Sequence, residues 1–592
     1  MLKRFIYSNW HWLSYFFIFI FYASIVSGWS IDPLHEGASV ATIYGLRYGQ
    51  IPYKEMFEYK GMGFDFIVNL LLPGNLLSVQ GIRIVTIVFT VGSAILSYFI
   101  LKSYNLFLAR ILPIVWLLSV PAITNLYSRP WPFSLFIDSN SVIVFFFLVL
   151  ILCLRQIKGP SKPRHLTLIS SLTVFSVSVL PWIRIQAIFF SLSVLAILSF
   201  HILKLKRKKE NSFFNLPIMV MCSVLGLAAP ILYLVINSAF SSWYEQTFLM
   251  PQIMRAKRDT MVVWLPGQFI KTFGVYLIMC CAGFLIIALL GILRSRTRNS
   301  LIPISLMTVV LFGISLFGLN TEVDSSKNLD LRNWLVLISQ WLPALFIYMA
   351  IFLTPIVLFK WGLEYCRKLP IFKLSLLQLT LTKRSHASSL PVSTQKKHLP
   401  ELSLGLAATN SLLFLYPNFG NSWMSSLIPG IFVVASMDSL ISKKQEFFDL
   451  GLKQTLVLLS SLLLCLWVLA CNQPRVSYQN NFLNGISEID QLRVEKVDAE
   501  LELLRSAPKN QKFRFLCNYG LLPVSNGSYQ SRTYDWGTLT HMRVLPTEDV
   551  LGERWIFICD TSLDEIRSYL EHGYRIFART NLTQKNSFIL VK

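Results

Sequence analysis

The stretch WLSYFFIFIFYASIVS at residues 12–27 decides the fold, because it is an apolar block without a charged residue. Lys3 and Arg4 precede it, and a loop rich in acids follows it. A helix needs about 20 mainly apolar residues to cross a hydrocarbon core of about 30 Å. No small-residue cleavage site clearly follows the block, so we expect a retained membrane span and not a removed signal peptide.

The same kind of apolar block recurs along the chain. Further blocks lie at residues 141–154, 273–293, 334–359 and 454–470. The 592 residues are 54% hydrophobic and only 14% charged, and their mean hydropathy is +0.54. A soluble protein of this size needs more charge to cover its surface. The sequence therefore predicts a polytopic α-helical membrane protein.

The net charge of +23 comes from basic residues that gather in the links between apolar blocks. Examples are KLKRKK at residues 204–209, RSRTR at residues 294–298, and the stretches at 155–164 and 359–397. Lys and Arg mark the cytoplasmic loops of membrane proteins. We therefore assign the charge to membrane topology and expect no nucleic-acid partner. The N-terminus is then cytoplasmic, and the chain lies in the cell (inner) membrane.

Placing the basic links inside predicts about thirteen membrane spans. They lie near residues 12–27, 82–101, 108–121, 139–154, 166–180, 186–203, 214–238, 268–293, 300–319, 334–359, 402–416, 425–441 and 452–471. An odd number of spans sends the C-terminus to the outer side. Residues 1–471 then form a transmembrane domain. Its first outward loop, residues 31–77, is called loop one below.

After residue 471 the chain mixes charges with short apolar runs. The runs at residues 513–517, 555–559, 574–578 and 588–591 have the length of strands. Residues 563–571 predict a helix, with Ser562 and Glu565 at the spacing of a capping box. We therefore expect residues 472–592 to form a small extracytoplasmic α/β domain.

The nine cysteines show no metal-ligand spacing, and most of them lie inside apolar blocks. Cys517 and Cys559 instead lie in the predicted C-terminal domain. In an oxidising compartment these two residues could form a disulfide bond. The alternative is a pair of buried free thiols, and the sequence leaves both interpretations open.

Loop one holds an unusual concentration of acids. Its ionisable residues include Asp32, His35, Glu36, Glu55, Glu58 and Asp65. A carboxylate beside a membrane is costly unless it is solvated or paired, so such acids are candidates for function. Asp32 and Glu36 would share one face of a helix. The structural alternative for Asp32 is a helix N-cap in front of Pro33.

The order of these residues resembles a known family. Loop one has Asp-x-x-His-Glu-Gly from Asp32, Gly-x-x-Pro-Tyr-x-acid-x-Phe from Gly49, and Gly-x-x-x-Asp from Gly61. This pattern resembles the polyprenyl-phosphate-sugar-dependent glycosyltransferases of the GT-C superfamily. The bacterial protein-mannosyltransferase-like and aminoarabinose-transferase-like groups are the nearest comparison. The resemblance implies a GT-C-like bundle of membrane helices followed by an outer domain.

The resemblance also implies a reaction. An acid of the first outward loop would act as general base on an extracytoplasmic acceptor, which attacks the sugar and displaces the lipid phosphate. Asp32 matches the leading acid, and Glu36 is the second candidate. His35 would orient a carboxylate or bind phosphate, or else is an interfacial histidine. Glu55 stands where relatives often carry Asp, which leaves its role open.

Further outward residues would serve the same reaction. Asp138 is placed to join Asp32, in some relatives through a divalent cation such as Mg²⁺ or Mn²⁺, although it could equally cap the next helix. Outward cations would hold the lipid phosphate of the donor, or else contact headgroups. They are Arg129, Arg184, Arg255, Lys257 and Arg258.

Two other functions are compatible with the composition. One is a transporter or flippase of a lipid-linked saccharide, although the sequence shows no internal repeat of the kind common in transporters. The other is a non-catalytic envelope assembly protein. We expect a membrane glycosyltransferase whose partners are a polyprenyl-phosphate-linked sugar donor, an extracytoplasmic acceptor and the lipid bilayer.

Overall fold

The computed structural model describes most of residues 2–249 and much of the C-terminal region. The described residues are 2–29, 31, 35–56, 61–126, 139–158, 163–188, 191–192, 194–195, 198, 216–249, 427–435, 460, 474–479, 483–488, 491–508, 511, 513–516, 552–561, 563–582 and 586–592. The predicted spans between residues 268 and 416 lie outside these ranges. Of the last predicted span, residues 452–471, only residue 460 is described.

The N-terminal part is built of long helices. They are α1 (Leu2–Ser24), α2 (His35–Arg47), α3 (Met62–Leu71), α4 (Val79–Leu101), α5 (Leu106–Leu126), α6 (Ser139–Lys158), α7 (Pro163–Ile183), α8 (Leu216–Ile236) and the short α9 (Phe240–Tyr244). Single 3₁₀ turns lie at Val26–Gly28, Gly74–Leu76 and Ile185–Ala187, and a π-helical turn at Glu245–Leu249 follows α9.

The described helices agree with the predicted spans where the two overlap. Within the described residues, four helical segments are long and apolar enough to cross a membrane: Asn9–Gly28, Val79–Leu101, Ser139–Gln156 and Pro217–Ile236. Helices α5 and α7 also cover predicted spans. The chain is therefore a helix-rich membrane protein.

Helix α4 lies at the centre of the described bundle and packs against α1, α5 and α6. Its Thr90 and Ser93 hydroxyls donate to carbonyls one turn earlier in the same helix, so these buried polar groups need no partner from another helix. A Cβ on Gly92 would lie 2.8 Å from the Phe145 ring. Glycine at this position therefore allows α4 and α6 to approach closely.

The described residues of loop one include two helices, with a turn after the first. Helix α2 is followed by a turn in which Gly49 has φ +83°, the left-handed conformation that glycine adopts without strain. Arg47, in the last turn of α2, donates to the Leu72 carbonyl at 3.2 Å. This bond connects α2 to the end of α3.

The C-terminal part contains both strands and helices. A short pair, β1 (Val476–Ser477) and β2 (Ser487–Glu488), is antiparallel and precedes α10 (Gln491–Arg505). A second sheet has the order β3 (Phe513–Leu516), β4 (Trp555–Thr561), β6 (Asn586–Val591) and β5 (Arg575–Arg579). Strands β3 and β4 are parallel, and the other neighbours are antiparallel.

The two faces of this sheet carry different helices. Helix α11 (Leu563–Glu571) packs through Ile566 and Tyr569 against the face that holds Ile556 and Ile558. The alternate residues Trp555 and Phe557 belong to the core that also contains α10. Side chains alternate across a strand, so β4 is buried on both faces. The four strands and α11 lie where the sequence predicted them.

The cysteine question has a partial answer. Cys559, at the end of the Trp555–Ile558 pairing in β4, is disulfide-bonded. Among the described residues, Cys153 and Cys222 are free. Cys517 lies outside the described residues, so its pairing stays a prediction.

Candidate active site at the end of the bundle

The centre of loop one is a buried ion pair between Glu36 at the start of α2 and Arg83 in α4. Arg83 Nε donates to Glu36 Oε1 at 3.0 Å, and Arg83 Nη2 donates to Glu36 Oε2 at 2.6 Å. Both side chains are 1% exposed. This is the two-point geometry in which guanidinium and carboxylate bind each other most strongly.

The pair restricts the chemistry that is open to Glu36. Both of its oxygens accept bonds from Arg83, and the side chain has almost no contact with solvent. A general base must reach the proton that it removes, and Glu36 has no free access to an acceptor in this arrangement. The catalytic role expected for Glu36 from the sequence stays a prediction, and the geometry supports the structural role that is proposed below.

The backbone that leads to Asp32 is held by two arginines. Arg83 Nη1 donates to the carbonyls of Ser27 and Trp29, at 2.6 and 3.0 Å. Arg493 of α10 donates through Nη2 to the Ile31 carbonyl at 2.7 Å. Asp32 itself lies outside the described residues, so its predicted role as a base or an N-cap stays a prediction.

The second half of loop one is held by apolar packing. Tyr53, from the Pro-Tyr motif, is 4% exposed and packs with Trp182, Leu234 and Ala239. Its φ is +66°, a strained conformation for a residue with a large side chain. The Tyr53 carbonyl accepts a 2.6 Å bond from Gln246 Nε2. Surrounding contacts thus hold the chain in a conformation that it would otherwise avoid.

Glu55 closes the turn that contains Tyr53. Its Oε2 accepts a 2.8 Å bond from the backbone N–H of Ile51, and the side chain is exposed. This local bond is sufficient to explain an acid at that position. Substrate binding by Glu55, predicted from the resemblance, stays a prediction.

Two glycines bring α3 against the end of α7. A Cβ on Gly61 would lie 2.6 Å from the carbonyl oxygens of Trp182 and Ile183, and one on Gly63 would lie 2.9 Å from backbone atoms of these residues. Contacts below 3.0 Å cannot form without a shift of the backbone. Asp65 follows in the first turn of α3 and is 2% exposed.

Arg184 follows this contact directly. It lies at the end of α7 and is partly buried, and its Nη1 donates to Asn140 Oδ1 at 2.6 Å. Asn140 is in the first turn of α6, two residues after Asp138. The end of α7 is therefore joined to the start of α6. A phosphate contact of Arg184 stays a prediction.

The remaining predicted site residues are beyond structural description. The side chain of His35 and the residues Glu58, Arg129, Asp138, Arg255, Lys257 and Arg258 lie outside the described part. Within that part, no group of three or more His, Cys, Asp and Glu side chains could hold a metal ion. Asp32 and Asp138, the acids considered for a metal, are not described, so no reaction step below is routed through one.

Sequence analysis missed Arg83, although a signal was present. A charge inside an apolar block is expensive and predicts a partner of opposite sign, and Arg83 lies in the predicted span 82–101. The partner itself could not be found, because Glu36 is 47 residues away along the chain. Arg493 gave no comparable signal, since it lies in a charged amphipathic segment.

Tyr44 of α2 forms a hydrogen bond to the end of loop one. Its hydroxyl donates to the Leu77 carbonyl at 2.8 Å. Burial raises the pKa of Tyr44 to about 12, and the neighbouring Tyr48 adds to the effect. The phenol is therefore neutral and remains a donor at physiological pH.

Comparisons with known proteins give a distant structural likeness. No protein-family model and no curated protein sequence matches the chain. The chain is similar to ArnT from Cupriavidus metallidurans bound to undecaprenyl phosphate, with 12% identity and a TM-score of 0.40, covering 98% of both chains. For apo ArnT the identity is 13% and the TM-score 0.41, covering 98% of this chain and 97% of that one.

ArnT is an aminoarabinose transferase of the GT-C family, the group that loop one resembles. At these values the likeness carries no residue role to this chain. The roles proposed below therefore rest on its own side chains.

Proposed function

We propose that this chain is a membrane glycosyltransferase that transfers a sugar from a polyprenyl-phosphate donor to an extracytoplasmic acceptor. The observation that carries the proposal is the construction of loop one. Arg83 and Arg493 hold the backbone that leads to the predicted catalytic acid. They donate to the carbonyls of every second residue in it, those of Ser27, Trp29 and Ile31. Reactions that depend on a positioned base need such a fixed backbone.

The proposed division of labour separates the two leading acids. Asp32 is the general base, and Glu36 neutralises the buried Arg83 that holds the segment. Asp32 takes a proton from the acceptor, the acceptor atom bonds to C1 of the sugar, and the bond from C1 to the phosphate oxygen breaks. The polyprenyl phosphate leaves with the electron pair of that bond. Arg184 and the other outward cations are candidates for binding its charge.

The proposed orientation places loop one and the C-terminal sheet on the outer side of the membrane. The disulfide bond of Cys559 supports it, because disulfides persist in oxidising compartments. The register pairs Leu516 with Ile558, so one further step along both strands leads to Cys517 and Cys559. We infer that these two residues form the bond.

The orientation has a direct test. Non-reducing peptide mapping of protein purified from its host membrane should recover residues 517 and 559 in one linked peptide. Thiol labelling in intact cells should leave both positions unmodified. When the protein is then unfolded without reduction, Cys222 should react and both positions should still be unmodified. Recovery of Cys559 as a free thiol would contradict an outer location of this sheet.

The function is tested by lipid analysis of a host strain that lacks the gene. We expect a polyprenyl-phosphate-linked sugar to accumulate in its lipid extract, as measured by mass spectrometry. The wild-type chain should remove the accumulated lipid, and Asp32→Asn should not, at equal amounts of folded protein. Removal by the Asp32→Asn variant would exclude Asp32 as the base. A lipid-linked saccharide that accumulates only on the inner leaflet would favour a flippase instead.

A further inference from the structure

We propose that Arg493 is a positioning residue for the reaction, through which the C-terminal region fixes the peptide group in front of Asp32. This inference rests on the proposed function. The carbonyl that accepts from Arg493 Nη2, at 2.7 Å, belongs to the peptide group that links Ile31 to Asp32. A peptide group is planar, so a bond to its oxygen restricts the direction in which the chain enters Asp32.

The contact is one part of a larger interface. We call the segment from residue 474 to residue 488, which contains β1 and β2, the docking hairpin. Ser487 of the docking hairpin forms a parallel bridge with Trp29, and its hydroxyl donates to the Gly28 carbonyl at 3.4 Å. The Arg475 guanidinium lies 4.4 Å from the centre of the Trp29 ring. These contacts surround Gly28 and Trp29, which lie directly before loop one.

The backbone of the docking hairpin approaches Gly28 so closely that there is no room for a side chain at that position. A Cβ on Gly28 would lie 2.6 Å from the Gly485 carbonyl oxygen. That oxygen accepts a 2.9 Å bond from Gln80 Nε2 at the start of α4. The docking hairpin therefore contacts both loop one and the helix that carries Arg83.

Two arginines of different origin thus hold one segment. Arg83 comes from the membrane bundle and binds the carbonyls of Ser27 and Trp29, while Arg493 comes from the C-terminal region and binds that of Ile31. Ile31 is fully buried, so its carbonyl depends on a protein partner. Loss of Arg493 should leave Arg83 and Glu36 in place and release the last peptide group before the base.

The first measurement is independent of activity. We expect Arg493→Ala to increase the rate of hydrogen–deuterium exchange of peptides that cover residues 29–36, with no change in peptides from the ends of α4. Arg505→Ala is the matched control, because Arg505 is exposed in the last turn of the same helix. Exchange in residues 29–36 that is unchanged by Arg493→Ala would overturn the proposal.

The second measurement concerns the reaction. Membranes of the deletion strain supply accumulated donor, whose initial rate of loss is followed by mass spectrometry after addition of purified protein. Misplacement of a catalytic group by about 1 Å can lower a rate about 100-fold. We therefore expect donor loss with Arg493→Ala to be about 10- to 100-fold slower than with the wild-type chain. Arg505→Ala should match the wild-type chain. Affinity for undecaprenyl phosphate, measured by native mass spectrometry, should not change.

Arg493→Lys separates positioning from stability. Lysine keeps the charge and one donor, so we expect an intermediate rate and exchange close to wild type. If Arg493→Ala fails to fold, the lysine variant and Arg493→Gln decide the matter by the same two measurements. A wild-type rate in any folded variant that lacks the donor overturns the positioning role. Activity of Asp32→Asn would instead exclude Asp32 as the base, and a deletion strain that accumulates no polyprenyl-phosphate-linked sugar would overturn the proposed function. The exchange result would stand apart from both.

Discussion

The two halves of loop one are held in opposite ways. The first half, up to Arg47, and residues 27–29 directly before it are fixed by charge: Arg83 binds Glu36 and two backbone carbonyls, and Arg493 binds a third. The second half, residues 50–65, is fixed by shape, through the buried Tyr53 and the close approach of Gly61 and Gly63 to α7.

This difference has a chemical reason. A charge near a membrane must be paired, and a paired arginine binds backbone oxygens in fixed directions. The half that contains the proposed base therefore has directional bonds. Apolar packing excludes water but sets direction less strictly. The second half is suited to close the site against the neighbouring helices, which is a task of shape.

The largest effect should come from the charged half. Arg83→Met leaves the buried Glu36 carboxylate without its partner, and loss of one member of a buried pair costs about 3–5 kcal/mol. We expect a large fall in the melting temperature of the detergent-solubilised protein. The double variant Arg83→Met/Glu36→Leu should recover part of the loss, because no unpaired charge remains.

Arg47→Met is the control for this prediction. Arg47 lies in the same loop and donates only to the backbone carbonyls of Asn69 and Leu72 among its described bonds. Its substitution should lower the melting temperature much less. If Arg83→Met and Arg47→Met have equal effects, the first half of loop one does not depend on the buried ion pair.

The next largest effect should come from the glycines of the second half. Gly61→Ala adds a Cβ at 2.6 Å from two carbonyl oxygens and forces a residue with a side chain to φ +128°. Gly49→Ala is the control, since its φ is +83° but nothing lies within 4 Å of the added Cβ. A left-handed residue with a Cβ costs about 1–2 kcal/mol, which is the effect expected for Gly49→Ala alone.

Gly61→Ala should therefore destabilise the protein more than Gly49→Ala does. Hydrogen–deuterium exchange of Gly61→Ala should increase in residues 50–65 and stay unchanged in residues 27–36, whereas Arg83→Met should increase exchange in residues 27–36. Equal melting temperatures for the two alanine variants would show that α3 does not approach α7 closely.

The smallest effect concerns Tyr44, which joins α2 to the end of loop one. Burial raises the pKa of Tyr44 to about 12, above its value in the unfolded chain of about 10. The contribution of the neutral phenol to stability is therefore complete below pH 10 and is lost as the pH rises towards 12. Tyr44→Phe removes one hydrogen bond, typically about 0.5–1.5 kcal/mol.

Melting temperatures measured between pH 8 and pH 11.5 check this prediction. The wild-type chain should lose more stability than Tyr44→Phe over the upper part of that interval. Parallel curves for the two proteins would mean that the Tyr44 hydroxyl ionises as it does in water.

Much of the fold could be predicted from the sequence, because hydropathy and the position of basic residues act locally. Helix α11 begins and ends where predicted, and α4 covers its predicted span. The site was harder, because its decisive contacts join distant positions. Glu36 meets Arg83 across 47 residues, and Ile31 meets Arg493 across 462. Periodicity and spacing carry no information about such pairs.

The same limit explains the ranking of the two acids. The motif places Asp32 and Glu36 four residues apart, and only the family resemblance ranks Asp32 first, because it matches the leading acid. The position of Arg83 adds a physical distinction, since it occupies both oxygens of Glu36. An arginine inside an apolar block should therefore prompt a search for its acid before any acid is assigned to chemistry.

The most direct test of the account compares Asp32→Asn with Glu36→Gln. Each is purified, its melting temperature is measured, and its rate of donor loss is followed in membranes of the deletion strain. We expect Asp32→Asn to melt as the wild-type chain does and to be slower by about 10²–10⁴-fold, the usual contribution of a general base. Glu36→Gln should melt at a clearly lower temperature and keep measurable transfer below it. A stable but inactive Glu36→Gln beside an active Asp32→Asn would contradict the account.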